Sequence, residues 1–183
     1  MGRRCHHGTV HAVDAYASPE PEGHEPHWLV GDEVDAWLRL IGVIIRLPAA
    51  LDAQLQRDAG FSHFEYTVMI HLSNAPDHAL RMSRLAALCH SSLSRLSHVV
   101  SRLERRGWLQ RTPCPDDGRV TVATLTDDGF GALAAAAPGH VEAVREFVID
   151  ALDAGQLREL TEICNTILRR LGGDTVAGHA HNL

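Results

Sequence analysis

The sequence predicts a mainly α-helical fold carrying one small β-hairpin, and three observations predict it. Leu and Ala dominate a 183-residue chain that is 45% hydrophobic, 5% aromatic and 22% charged, a mix that favours packed helices over disorder. From Gly31 to Leu171, apolar residues recur mostly at three- and four-residue spacing, as a stripe on one side of a helix requires. Between Trp108 and Leu125 the period drops to two on either side of Pro113-Cys-Pro-Asp-Asp-Gly118, which reads as two strands and a polar turn.

In chain order, residues 1–30 hold Pro19, Pro21 and Pro26 and no sustained periodicity, so they read as a flexible N-terminal arm. Residues 31–172 read as a single domain. Trp37, Leu40, Ile41, Ile44, Leu47, Leu51 and Leu55 form the stripe of a long helix over 32–57, bent at Pro48. After Gly60, Phe64, Val68, Met69 and Leu72 mark a shorter helix closed by Asn74-Ala-Pro-Asp77. A brief extended piece near Leu80 to Met82 precedes two helical turns with Leu85, Ala86 and Leu88. A turn at Cys89 to Ser91 follows, and Ser92 caps a helix with Leu96, Val99, Val100 and Leu103 inward that stops at Gly107.

Beyond the hairpin, Thr126-Asp-Asp caps a helix whose stripe is Phe130, Leu133, Ala134, Ala137, Val141, Val144 and Val148. Asp153 and Gln156 have capping-box spacing and open a last helix with Leu157, Leu160, Ile163, Cys164, Ile167, Leu168 and Leu171. Residues 173–183 read as a tail.

Charge and composition exclude several classes. The longest apolar candidate, Trp37 to Leu55, is interrupted by Arg39, Arg46, Pro48 and Asp52, so no membrane span is expected. The Arg-Arg near the N-terminus has no apolar stretch behind it, which argues against a signal peptide and for the cytoplasm. Cys5, Cys89, Cys114 and Cys164 lie far apart without a CxxC pair, and the 13 His show no HExxH or finger spacing, so neither metal nor cofactor is expected. No nucleophile triad or paired carboxylates can be read, and an enzyme is not expected.

The net charge of −6 conceals an asymmetry. Arg81 to Arg119 carries eight Arg against three acids, a local +5, inside a remainder of −11. Such a segment steers one face toward polyanions.

The order helix, turn, helix, hairpin over 83–125 is that of a winged helix-turn-helix, with a core over 80–125. If Leu96, Val99 and Leu103 are buried, the same helix exposes Leu93, Ser94, Arg95, Ser97, His98 and Arg102 toward a groove of matching width. Arg95 and His98 then reach either guanine edges or phosphates and water, and the hydroxyls of Ser92, Ser94 and Ser97 reach bases or phosphates. Arg84, Arg102, Arg105 and Arg106 suit phosphates. Arg119, just past the hairpin tip, either enters the minor groove or pairs with Asp116 or Asp117 to stiffen the hairpin.

Residues Leu85-Ala-Ala-Leu-Cys-His-Ser-Ser-Leu-Ser-Arg-Leu-Ser-His-Val-Val-Ser-Arg-Leu-Glu-Arg-Arg-Gly-Trp-Leu-Gln-Arg111, then Pro115-Asp-Asp-Gly-Arg119 and Leu125-Thr-Asp-Asp-Gly129, resemble the MarR family of bacterial regulators. The likeness covers about 32–172. It implies a homodimer held by the helices over 32–57 and 126–172, placing two reading helices in successive major grooves of a pseudo-palindromic duplex operator. It also implies that Asp117 orients Arg119 in the wing.

Three positions depart from the family pattern: Cys114 replaces an Asp, Gly118 a basic residue, and His90 a turn Gly. A repressor released by a small aromatic or phenolic effector is the function the resemblance favours. Its crevice would be lined by Trp37, Ile41, His63, Phe64, Thr67, His71 and Phe130. Two alternatives are a protein-interaction module on the same fold, suggested by the acidic body and Leu93, and a redox sensor acting through Cys114 in an exposed wing, with Cys164 as buried packing.

Overall fold

The computed structural model describes residues 26–114 and 118–172. Of these, 26–38 belong to one compact unit and the others to a second. The C-terminal tail from residue 173, residues 1–25 of the expected arm and the hairpin tip with Asp117 lie outside the described residues.

Helix α1 runs Asp32–Ala59, with Asp32, Glu33 and Asp35 in the first turn, where unpaired amide groups favour negative charge. Pro48 lies within it. Gly60, at φ +71°, ends it by returning its N–H to Leu55 O at 3.0 Å, a left-handed closure that suits glycine. Helix α2 (His63–Ser73) starts on a capping box. Ser62 Oγ accepts from Glu65 N at 3.1 Å, and the Glu65 carboxylate accepts from Ser62 N at 2.7 Å.

A 3₁₀ turn at Pro76–His78 leads into strand β1 (Ala79–Arg81) and helix α3 (Met82–Leu88). His90 turns the chain at φ +46°, a left-handed residue where the family pattern has glycine. Ser92 then caps α4 (Leu93–Arg105), its Oγ accepting from Arg95 N at 3.2 Å. Gly107 at φ +76° releases the chain into β2 (Leu109–Pro113), which pairs with β3 (Thr121–Leu125) as the expected hairpin.

The extended piece before α3 does more than connect. It is β1, antiparallel to β3 with Leu80 opposite Ala123, giving a three-stranded sheet of order β1-β3-β2. Three residues are too few for a period-two pattern to announce a strand.

Leu55 from α1, Val68, Met69 and Leu72 from α2, Leu85 from α3, and Leu96, Val100 and Leu103 from α4 are fully buried with Phe61 around one core. Each such side chain contributes roughly 1.5–3 kcal/mol by leaving water.

Helix α5 (Asp127–Val144) corrects the expected stripe. Its buried residues are Gly129, Leu133, Ala136, His140 and Ala143, and of the seven predicted positions Leu133 alone is buried. The helix buries the small residues Gly129, Ala136 and Ala143 and leaves its bulkier flank with Phe130 more open. After Val144 the coil widens to a π turn over Arg145–Ile149, where Asp150 N donates to Arg145 O at 2.8 Å. Asp153 and Gln156 form the expected capping box for α6 (Ala154–Arg170), none of whose residues is buried. No described helix is long and apolar enough to cross a membrane.

Candidate nucleic-acid interface

Helix α4 divides as its sequence predicts. Leu96, Val99, Val100 and Leu103 are buried, while Leu93, Ser94, Arg95, His98 and Arg102 are exposed and Ser97 is half-buried. Ser92 serves as the N-cap, so its hydroxyl is engaged by its own helix. Arg84 is exposed on α3, and Arg119 is exposed just beyond the hairpin tip.

The arginines differ in what they touch within the chain. The Arg95 guanidinium lies over the Phe64 ring, 4.4 Å from its centroid. Arg102 Nε donates to Glu65 Oε1 at 3.2 Å; the Arg102 side chain is about half exposed, while Glu65 is buried. Arg106 donates to Gly60 O at 2.8 Å and sits 4.8 Å above the Trp108 ring, so it fastens the end of α4 to the end of α1.

Arg111 on β2 locks the wing to α4. Its Nε donates to Glu104 Oε2 at 2.8 Å, its backbone N–H to Glu104 Oε1 at 2.9 Å, and Nη2 to Ser101 Oγ at 3.0 Å. The Arg111 side-chain hydrogen bond holds the Glu104 carboxyl below the usual range, outweighing the modest burial that opposes ionisation, with the Arg111 backbone N–H and charge adding to it. A single carboxylate thereby fixes the wing strand against the helix.

Arg95, His98 and Arg102 line a cleft of about 590 Å³ with Asp52, Ser62, Phe64, Ser92, Ser94 and Val99. Sequence reasoning missed the contribution of α2 here. The Ser62-x-x-Glu65 spacing announces a helix start, but nothing local announces that Phe64 and Glu65 face α4.

The structure splits the residues expected to line an effector crevice. Phe64 lies under Arg95. The His63 ring lies tilted against that of His140 of α5, centroids 5.5 Å apart, and the His63 backbone N–H donates to Asp52 Oδ1 at 2.8 Å. Thr67 Oγ1 donates to His63 O at 2.9 Å, His71 and Ile41 are half-buried, and Trp37 is exposed on α1. Phe130 lies 5.7 Å from the His78 ring in a separate groove of about 800 Å³ between α2 and α5, lined also by Ile70, Asn74, Leu133 and Val141.

His140 is buried, 4.4 Å from the Tyr66 ring, with Nδ1 3.4 Å from Gln54 Oε1. Burial lowers the pKa of both imidazoles; the neighbouring His63 lowers that of His140 further, while Asp52 partly opposes the shift at His63.

The cysteines reverse their expected places. Cys114 is 7% exposed, and its backbone N–H donates to Val120 O at 2.7 Å, one step beyond the Pro113–Thr121 pair, while Cys164 on α6 is exposed. Burial also pushes the Cys89 thiol up to about 11. Among the described residues, no group of three or more His, Cys, Asp or Glu is placed to hold a metal ion.

Three packed helices, α2 to α4, edged by a three-stranded sheet whose outer hairpin projects beside α4, define a winged helix-turn-helix protein. The MarR family model matches residues 61–121. Sco3205 of Streptomyces coelicolor, a MarR family transcriptional regulator solved in complex with DNA, is 43% identical, with a TM-score of 0.76 over 79% of this chain and 94% of that one. AbsC of the same organism, also a MarR family regulator, is 34% identical, with a TM-score of 0.76 over 81% of this chain and all of that one. The chain belongs to the MarR family of transcriptional regulators. It is also 25% identical over 112 residues to the transcriptional repressor MprA of Escherichia coli, a match spanning 61% of this chain and 63% of that protein.

Proposed function

We propose that the chain is a DNA-binding transcription regulator that acts as a homodimer on a pseudo-palindromic duplex operator, as a repressor released by a small-molecule effector. The observation that carries the reading is the surface of α4: a helix buried on its Leu and Val side, with Arg95 and His98 exposed in its N-terminal half. The first turns of such a helix are those that meet base edges in a major groove. Arg84 and Arg102 flank it for phosphates, and Arg119, oriented by Asp117, serves the adjacent minor groove. The DNA-bound state of Sco3205 and the repressor activity named for MprA support this reading. A regulator of this kind works in the cytoplasm.

Apolar side chains exposed on α1 (Leu40, Val43, Ile44, Ile45) and α6 (Leu160, Ile163, Ile167) supply the surface for a second copy. The groove between α2 and α5, mainly apolar with Ser73, Asn74, His78 and Glu142 as polar groups, has the character of a site for a small aromatic effector, with Phe130 at its wall.

Selection of duplexes from a random pool tests the reading: the wild-type protein enriches one two-fold symmetric consensus. Arg119→Ala weakens binding to all sequences in similar measure, whereas Arg95→Ala or His98→Ala changes which bases are preferred. Enrichment that survives all three substitutions unchanged removes the assignment.

A further inference from the structure

We infer that Phe64 is a positioning residue for Arg95, holding its guanidinium at the base-reading end of α4 before DNA arrives. The inference rests on the DNA-binding function proposed above and adds a residue on another helix to the reading apparatus.

Two facts carry it. The Arg95 Cζ lies 4.4 Å from the Phe64 ring centroid, well inside the range of about 6 Å in which a ring face attracts a cation. The ring itself is held on a secured helix end. Phe64 lies in the first turn of α2, between His63, whose N–H is bound by Asp52 at 2.8 Å, and Glu65, which closes the capping box and takes Arg102 Nε at 3.2 Å. The ring also packs against the core and is half-buried, so it has little freedom to follow a moving arginine.

The chemistry of guanidinium gives this contact its use. An unrestrained arginine must surrender most of its rotamer freedom to donate two hydrogen bonds to one base. A ring attracts the cation through its charge and takes none of its N–H donors, so an arginine seated on Phe64 keeps donors for a guanine edge. Ordering that precedes binding costs nothing at the moment of binding. By contrast, Arg102 has committed Nε to Glu65, and Arg106 has committed a donor to Gly60 O, which leaves them fewer donors for any base.

The test compares Phe64→Leu and Phe64→Met, which keep apolar bulk without a ring, with Phe64→Tyr, which keeps the ring. Each is passed through the random-duplex selection alone and in an Arg95→Ala background. The base position to watch is the one whose preference Arg95→Ala abolishes. There, Leu and Met lower the preference about two- to fivefold, the strength of an exposed cation–π contact, and Tyr retains it. Binding to unrelated duplex and the melting temperature stay at the wild-type level. In the Arg95→Ala background, where that preference is already lost, the Phe64 substitutions leave affinity for the wild-type consensus duplex unchanged.

Wild-type preference in both the Leu and Met variants overturns the inference, as does a loss of affinity for the wild-type consensus duplex that is equal in the presence and absence of Arg95. A wild-type protein that enriches no sequence overturns the DNA-binding reading itself and this inference with it. A wild-type consensus that the ring-free variants preserve overturns this inference alone.

Discussion

Glu65 is 4% exposed, and its carboxylate accepts from Ser62 N, Ser62 Oγ and Arg102 Nε. A buried carboxylate is tolerable because those donors replace water, and in return it closes the start of α2 and ties that helix to α4. Glu65→Ala removes the cap and the Arg102 anchor together and lowers stability by about 2 kcal/mol, read as a fall in the denaturation midpoint. Glu65→Gln, which keeps an acceptor at the cap, costs less. Half of this junction is legible in the sequence, since Ser62-x-x-Glu65 is the spacing of a capping box. The Arg102 half spans 37 residues of chain and depends on how two helices cross, which no local pattern encodes. The same limit hid Phe64 beneath Arg95 and Arg111 on Glu104. The exposed side of α4 was legible because a 3.6-residue period assigns both its faces at once.

Among the elements, α5 shows where pattern reading falters. Its most apolar stripe and its buried stripe differ, because the buried side includes small residues where neighbouring chain comes close, and hydropathy does not report size. Gly129 is the limiting case. A Cβ there would collide with the Trp108 carbonyl, the oxygen that accepts from Thr126 N at 3.0 Å where β2 meets α5. Gly129→Ala forces backbone apart and destabilises by about 2 kcal/mol or more, seen as a drop in melting temperature.

Further along α5, His140 faces His63, Tyr66 and Gln54, with Asp52 beside His63. Both imidazoles have lowered folded pKa values, chiefly through desolvation, so the unfolded chain binds more protons as pH falls below about 6.5. Stability is therefore full above that pH and declines through the acid range toward the depressed folded values. Melting curves between pH 7.5 and 5.5 fall for the wild type, and His140→Gln flattens the fall; parallel curves would refute the assignment to this pair.

At the scale of the whole molecule, charge and apolar surface divide the labour. The basic segment from Arg81 to Arg119 coincides with α3, α4 and the wing, inside a chain of net −6, so affinity for duplex depends steeply on salt and orientation is set by one face. Removing Arg119 lowers the slope of log affinity against log salt by about one. Ile163 and Ile167 lie exposed on α6 with Leu160 nearby. Ile163→Asp shifts sedimentation from a dimer toward a monomer and abolishes cooperative occupation of two half-sites spaced about 34–36 Å apart, while α2 to α4 remain folded. An unchanged sedimentation coefficient would place the contact between copies elsewhere.

Helix α6 has no fully buried side chain within its own protomer, and that arrangement makes abundance a thermodynamic variable. Whatever covers the helix adds stability by mass action, so dilution should loosen it before the α2 to α4 core responds. A cell holding few copies would then carry a looser protein as well as a scarcer one.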